Sequence, residues 1–311
     1  MSEAWLLLLG LAVGCFGTLI GAGGGFILAP ILLFMYPAAR PDQLAAVSLA
    51  VVFANATVGS ITYWLRDRVD VRSALTFAAA AIPAAVAGVW INSILPRQTF
   101  AAILGSFLIL GAILLLTRPL PKKQLPGEAN TNTNAITNSN ANATPQPPAL
   151  TPVPTLATST AQTTAPTTAP TTAHSHPNRL GPHVRHNRLH AAIISTFVGL
   201  ISSVLGIGGG IVHVPAMVHI LGFPVHFATA TSHMVVAITA GIATAIHIYT
   251  GTFSGFESLT FWLAAGAMLG SPLGATLSRN LAPALIIRAL AVALGLVGVR
   301  VLWSVIVGAR S

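Results

Sequence analysis

The chain has 311 residues, of which 54% are hydrophobic and only 7% are charged. An ordinary soluble domain has about 25% charged residues, so the composition excludes a soluble enzyme and indicates a polytopic membrane protein, with the lipid bilayer as a partner. The net charge of +9 would suggest nucleic acid in a soluble protein, but here Lys and Arg fall in a few loops, so we expect no nucleic-acid partner. Cys15 is the single cysteine, which excludes an intrachain disulfide and a thiolate metal site.

The first apolar block, residues 1–118, contains four stretches without charge. The first stretch covers the 33 residues of 4–36, which is too long for one plain span and predicts a broken one. About 20 apolar residues suffice for a helical span. One span each is therefore predicted for 43–65, 73–96 and 98–117.

Residues 119–188 differ sharply in composition from the block before them. They contain 12 of the 21 prolines and no Phe, Trp or Tyr. Such a segment buries too little apolar surface to offset the entropy of ordering it, so we expect a disordered linker rich in Thr, Pro, Ala and Asn. A second apolar block, 189–311, follows it. That block opens with a long uncharged stretch at 189–256, followed by apolar stretches at 258–278 and 283–307.

The two blocks match in order and spacing. GAGGGFILAP at 21–30 corresponds to GIGGGIVHVP at 206–215, AVS at 46–48 to ATS at 230–232, and LTF at 75–77 to LTF at 259–261. Internal duplication is common among transporter folds. The predicted fold is an all-α polytopic membrane protein with two homologous four-span repeats, about eight transmembrane helices, in which the first helix of each repeat is broken at a GxGGG-x4-P motif.

The Lys and Arg residues predict the orientation in the membrane. If each long glycine-containing stretch crosses the bilayer once, the N-terminus, the linker and the C-terminus share a side with eleven of the fifteen Lys and Arg residues. Positive residues concentrate in cytoplasmic loops, so we expect these three segments to be cytoplasmic in a protein of the cytoplasmic membrane. Two full spans, or a re-entrant hairpin, at each glycine motif would instead give inverted repeats.

The glycine motifs are the strongest candidates for a binding site. Each glycine inside a helix costs about 1 kcal/mol relative to alanine, and a proline five residues later removes a backbone donor. Pro30 and Pro215 are therefore predicted helix breaks. A half-helix that starts at such a break directs its amides at an anion, and the amides concerned belong to Gly23, Gly24, Gly25, Gly208, Gly209 and Gly210. The alternative is that the glycines only permit close helix packing.

Polar side chains near the motifs complete the predicted substrate site. Ser48 and Ser232 are candidates because both blocks carry them, and their hydroxyls can donate to an oxyanion. His213 and His233 are candidates because an ionisable residue within a span suggests function, here anion binding or proton relay. Helix–helix hydrogen bonding is the alternative for the serines. The histidine spacings lack the i, i+4 pair of helical zinc ligands, so no metal is expected.

These motifs resemble those of the sulfite exporter family known as TauE/SafE. The resemblance is carried by IGAGGGFILAP and its repeat LGIGGGIVHVP, by AVSLA and ATSHM, and by the four-plus-four layout. It covers both blocks but not the linker. Members of this family are integral membrane proteins that move sulfur-containing anions such as sulfite, sulfonates and sulfoacetate. The resemblance implies a transporter, and a hydroxyl at Ser48 and Ser232.

The expected function is secondary transport of a small anion. No Walker-type loop is present, so we expect neither ATP nor another cofactor. An anion channel, or an uptake carrier for another small carboxylate or oxyanion, remains an alternative. An intramembrane enzyme is a remote one, because the chain has no GxSxG motif and no Asp or Glu within a predicted span. The sequence leaves homo-oligomerisation open.

Overall fold

The computed structural model describes residues 2–117, 188–277 and 283–308. The predicted linker at 119–188 lies almost wholly outside these ranges. The regular secondary structure of the described residues is all helix, without strands. The ten helices are α1 Glu3–Ile20, α2 Gly25–Met35, α3 Pro41–Trp64, α4 Val71–Ile94, α5 Arg97–Thr117, α6 Arg188–Leu205, α7 Gly210–His219, α8 Val225–Tyr249, α9 Glu257–Leu277 and α10 Pro283–Gly308. By length and composition, α1, α3, α4, α5 and α8 suffice to cross a membrane. The all-helical membrane architecture is thus confirmed.

Helices α1 and α9 run side by side in the same direction. A β-carbon built on Gly10 would overlap the carbonyl oxygen of Leu263, and one built on Gly14 would overlap that of Ala267. Both helices therefore advance together, and the absent side chains of α1 allow backbone contact. Because the two helices are parallel, α1 begins at the same end of the bundle as α9.

The α1–α2 segment is a hairpin that returns to the end of the bundle from which it started. The ring of Tyr36, just after α2, meets Phe256, just before α9, at 5.4 Å. The start of α1, the end of α2 and the start of α3 thus share one end of the bundle, here called the Arg40 face. Gly17 and Gly24 touch, since a β-carbon on Gly17 would overlap the Gly24 nitrogen. The prediction that this segment crosses once is wrong, because its chain reverses at the glycines.

Helices α6 and α7 form a second hairpin at the opposite end. Helix α6 runs parallel to α4, with Gly199 against Ala81 and Gly88 against Leu200. Helix α4 starts at the end of the bundle where Arg66 follows α3, here called the Arg66 face. Helix α6 therefore also starts there.

The second hairpin returns to the Arg66 face as the first returns to the Arg40 face. Phe223, just after α7, packs against Phe77 near the start of α4, with ring centroids 6.2 Å apart. Helix α8 begins beside the same loop, where the Thr231 hydroxyl accepts a 3.1 Å hydrogen bond from the Asp70 backbone nitrogen. The two hairpins thus enter the bundle from opposite ends.

Helices α5 and α10 pair in antiparallel fashion. Gly105 packs against Leu302, and Gly298 packs against Ile109. Arg97, at the start of α5, donates hydrogen bonds to two carbonyl groups at the end of α2 and in the loop after it. Helix α5 therefore starts at the Arg40 face, and α10 ends there.

This arrangement corrects the predicted topology. Helix α1 starts and α10 ends at the Arg40 face, whereas the two helix ends that flank residues 118–187 lie at the Arg66 face. The N-terminus, linker and C-terminus were predicted to share one side, and this is wrong. Each glycine segment returns instead of crossing, which removes one crossing per block.

The helix interruptions lie at glycines and not at prolines. Pro30 and Pro215 were predicted to break their helices, but both lie inside a helix, α2 and α7 respectively. An internal proline removes one hydrogen bond and kinks a helix without stopping it. The chain leaves helical geometry before that, at the left-handed angles of +80° at Gly21 and +68° at Gly206, which directly follow α1 and α6.

The LTF match between the blocks does not hold in three dimensions. Gly88 contacts α6 near its end, as Gly274 contacts the end of α1. If Gly88 is matched to Gly274, the buried Phe77 corresponds to the buried Leu263. The LTF match would instead pair Phe77 with Phe261, which is 64% exposed. Close helix contacts at glycines decide which positions of a helix are buried, and a short stretch of identical sequence does not.

Candidate functional site

The two glycine segments meet backbone to backbone in the middle of the bundle. A β-carbon on Gly25 would lie 2.7 Å from the carbonyl oxygen of Gly206, and one on Gly210 would overlap that of Gly21. Real β-carbons do not approach so closely, so only glycine fits at these contacts. The contacts also leave no space for an anion between the two segments.

Helix α3 holds both segments from one side. Val52 lies against Gly23 and Gly208, whose β-carbons would fall 2.9 and 2.7 Å from its methyl group. One turn earlier, the Ser48 hydroxyl donates a 2.5 Å hydrogen bond to the Gly206 carbonyl. The single hydroxyl proton of Ser48 is therefore used within the protein.

Ser232 occupies the position in α8 that corresponds to Ser48 in α3, but its hydrogen bonding differs. Its side chain is fully buried, and its hydroxyl makes no hydrogen bond with any described residue. A buried hydroxyl without a partner costs about 1–3 kcal/mol, so Ser232 has a donor available where Ser48 has none.

A small cavity with several polar groups in its lining lies beside the second glycine segment. It has about 10 Å³ of room for the centre of a water molecule, enough for roughly one water. Its polar lining comes from α6, α7, α8 and the break itself: Ser195, Ser202, Gly208, Gly209, His213 and Thr239. We call it the second-break cavity.

His213 is the titratable group of the second-break cavity. It is 1% exposed, and its Nε2 lies 3.2 Å from the Ser195 hydroxyl. Its Nδ1 has no hydrogen-bond partner among the described residues. One ring nitrogen is thus held in place by α6, and the other is available to a molecule in the cavity.

The first glycine segment lacks three of the polar residues that line this cavity. Where the second block has Ser195, Ser202 and His213, the first has Gly10, Gly17 and Leu28. Leu28 is fully buried. Because Gly17 lets the break pack directly against α1, the position that the cavity occupies in the second block is closed in the first.

His233 lies in a separate buried cluster. The Thr18 hydroxyl donates to the Asn55 side-chain oxygen at 3.0 Å, and it lies 2.8 Å from the Ser271 hydroxyl and 3.4 Å from His233 Nε2. Asn55 in turn donates to the Gly23 carbonyl at 3.2 Å. We call Thr18, Asn55, His233 and Ser271 the His233 network.

Buried cations are not found among the residues whose side-chain exposure the structure describes. No Lys or Arg of that set is buried, and no group of three metal-ligating residues is found within the described residues. Arg300 lies over the Phe34 ring at 5.2 Å. At the Arg40 face, the hydrogen bond and charge of Asp42 raise the pKa of Arg40.

A family model described as "Sulfite exporter TauE/SafE" matches residues 6–301. The chain belongs to this family. It is also 25% identical over 309 residues to "Probable membrane transporter protein YunE" of Bacillus subtilis (strain 168), a match that covers 97% of this chain and 98% of the relative. No solved structure matches the chain. The protein is thus a multi-pass membrane protein of a transporter family.

Sequence reasoning on this TauE/SafE chain missed four polar residues near the breaks. Ser195 and Ser202 line the second-break cavity, and Thr18 and Ser271 belong to the His233 network. Their position in the sequence could have indicated three of them, because these three lie in helices that end at a glycine segment. Ser271 gave no such signal, because α9 reaches the network only through packing.

Proposed function

We propose that the chain is a secondary transporter of small anions, with sulfur oxyanions and organosulfonates as the first candidates. The single observation that carries the proposal is the polar cavity at Gly208 and Gly209, which adjoins a helix start deep in an apolar bundle. The name of the family and of the Bacillus relative support transport, and the name of the family suggests sulfite.

The chemistry of the cavity suits an anion. At the start of α7, the backbone N–H groups of Gly209 and Ile211 make no backbone hydrogen bond within the described residues. Free amides and the helix dipole attract negative charge at such a start. His213 adds a ring nitrogen without a partner, and Ser195 and Ser202 add hydroxyls.

The cavity is smaller than a sulfite ion, so binding requires the second break to open. We interpret the present arrangement as an occluded state. Gly24 and Gly209 would then act as the hinges of their hairpins, since both have left-handed angles at the start of a short helix. The backbone contact between the breaks would transmit movement of one hairpin to the other.

Two inverted repeats would supply the alternating access. The hairpin of the first block enters from the Arg40 face and that of the second from the Arg66 face. Helix α1 packs on α9 much as α6 packs on α4. Blocks related in this way can exchange conformations and expose one central site to each side in turn.

We propose that the Arg66 face is cytoplasmic. Assigning each Lys and Arg to the nearer helix ends puts eleven at the Arg66 face and four at the Arg40 face. The positive-inside rule then places residues 118–187 in the cytoplasm and both termini outside it.

The test is anion flux in proteoliposomes that contain the full chain. Sulfite, sulfate, methanesulfonate, sulfoacetate and acetate are offered in turn, with and without a pH gradient. A carrier gives saturable flux that unlabelled anion on the opposite side accelerates, whereas flux through a channel is not accelerated in this way. Saturable flux of acetate alone would favour the carboxylate carrier, and absence of flux for every anion would overturn the proposal.

A further inference from the structure

The His233 network is a second buried polar cluster, which the proposed anion site does not use. Thr18 and Asn55 come from the first block, and His233 and Ser271 come from the second. All four side chains are fully buried. A titratable group held between two blocks that move relative to each other is suited to carry the ion that drives the movement.

The hydrogen bonds of the network leave one place for a proton. The Thr18 hydroxyl has one proton, which it donates to Asn55, so its oxygen can accept from His233 Nε2. A neutral imidazole that donates from Nε2 has its acceptor at Nδ1. No described residue forms a hydrogen bond with Nδ1. His233 can therefore accept a proton at Nδ1 without breaking the network.

The added charge would act on the first glycine segment through Asn55. Asn55 belongs to the network and donates to the Gly23 carbonyl at 3.2 Å. The first segment in turn touches the second, where Gly25 meets the Gly206 carbonyl. Contacts are thus continuous from the imidazole to the glycine segment beside the anion cavity.

Other titratable groups around the imidazole have different roles. On α3, Tyr63 meets the ring edge-on at 6.0 Å and donates its proton to the Thr18 carbonyl. On α1 the nearest is Cys15, whose backbone packs against α9. In the α3–α4 loop, Asp70 caps α4 through Ser73, and Arg66 donates to a carbonyl of α9.

We infer that His233 binds one proton in each transport cycle and that the proton crosses together with the anion. The inference rests on the proposed function. The proton comes from water on the loading side, binds at Nδ1 and leaves to water on the other side, so the imidazole is regenerated. A proton bound at His233 offsets part of the negative charge that the anion brings into a medium of low dielectric constant.

The experiment measures two fluxes in the same proteoliposomes. The probes are radiolabelled sulfate and methanesulfonate, neither of which titrates near neutral pH, and the membrane voltage is clamped with potassium and valinomycin. The first flux is exchange at equal pH on both sides, and the second is net uptake driven by an acidic loading side. For the wild-type chain we expect an acid gradient of one pH unit to raise net uptake up to about tenfold, because one proton per cycle transmits a tenfold proton gradient to the anion.

Two variants and one control test the assignment. H233Q keeps a polar side chain that does not titrate, and Thr18→Val removes the hydroxyl that links the imidazole to Asn55. Both should retain exchange and lose the response to the acid gradient. His247→Gln is the matched control, because His247 is equally buried on the same helix and lies outside the network. It should keep both fluxes.

The outcomes separate the two proposals. Absence of exchange by the wild-type chain, with these two probes and with the other anions offered, would overturn the proposed function and this inference with it. Exchange without any response to the acid gradient would overturn the inference alone. The inference would also fail if H233Q, monodisperse in detergent, kept the full response to the gradient.

Discussion

The two glycine segments have nearly the same sequence but different surroundings. Both reverse the chain through left-handed glycines, and each starts a short helix. The first is packed closed by Gly17 and Leu28, and the second has a cavity with Ser202 and His213 at the corresponding positions. Under the proposed function, the duplicated backbone feature would supply the movement, and substitutions in the neighbouring helices would decide which copy binds the anion.

The largest expected effect concerns the opposed directions of the two hairpins. Alkaline phosphatase is active only outside the cytoplasm, so a fusion after Arg310 should be active and a fusion after Thr155 inactive. The activities of cells that carry each fusion measure this directly, with expression checked by immunoblot. Equal activity of the two fusions would contradict the opposite placement of the two hairpins.

Alanine at the hinge glycines should separate folding from binding. Both Gly24 and Gly209 have left-handed angles, which cost a β-carbon about 1–2 kcal/mol. On Gly24 that carbon would lie 2.7 Å from the Val13 carbonyl oxygen, whereas on Gly209 it would face the side chains of Val198 and Ser202. We expect Gly24→Ala to lower the melting temperature, and Gly209→Ala to remain folded and lose most of its anion flux. The reverse result would place the site at the first break.

His213→Leu gives the second break the residue found at the first. Loss of a hydrogen bond to a charged ligand costs about 1.5–3 kcal/mol, so anion affinity should fall roughly 10- to 150-fold. Affinity is measured as the half-saturating concentration for exchange. Leu28→Met is the control, since it conserves volume in the first break and should leave affinity unchanged. Equal effects from both variants would indicate a packing role for His213.

The hydroxyls should give smaller effects. Ser195→Ala and Ser202→Ala should each weaken anion binding by about 0.5–1.5 kcal/mol, the net contribution of one neutral hydrogen bond. Ser48→Ala should leave affinity unchanged and lower the melting temperature, because the Gly206 carbonyl would lose its donor. Weaker anion binding by Ser48→Ala would instead support the predicted substrate contact at Ser48.

The smallest effect is expected from the segment between the blocks. Residues 124–176 have a composition that predicts few fixed contacts. Their deletion should leave exchange flux within about twofold of the full chain. Complete loss of flux from a well-expressed deletion would show that the segment takes part in transport.

The sequence alone determined the membrane class, the family and the position of the glycine segments. These features follow from the scarcity of charge, from motif letters and from the left-handed backbone that repeated glycines permit. The sequence could not determine whether the chain crosses or returns after Gly24, because a positive φ stops a helix without fixing the direction that follows.

Tertiary packing decided that direction and the content of the site. Contacts of Gly14 with Ala267 set α1 parallel to α9, and this pairing alone places the start of α1 at the Arg40 face. Similarly, Thr18 and Ser271 are 253 positions apart and meet at 2.8 Å. Such contacts depend on how glycine-lined helices approach each other, and no local period in the sequence encodes them.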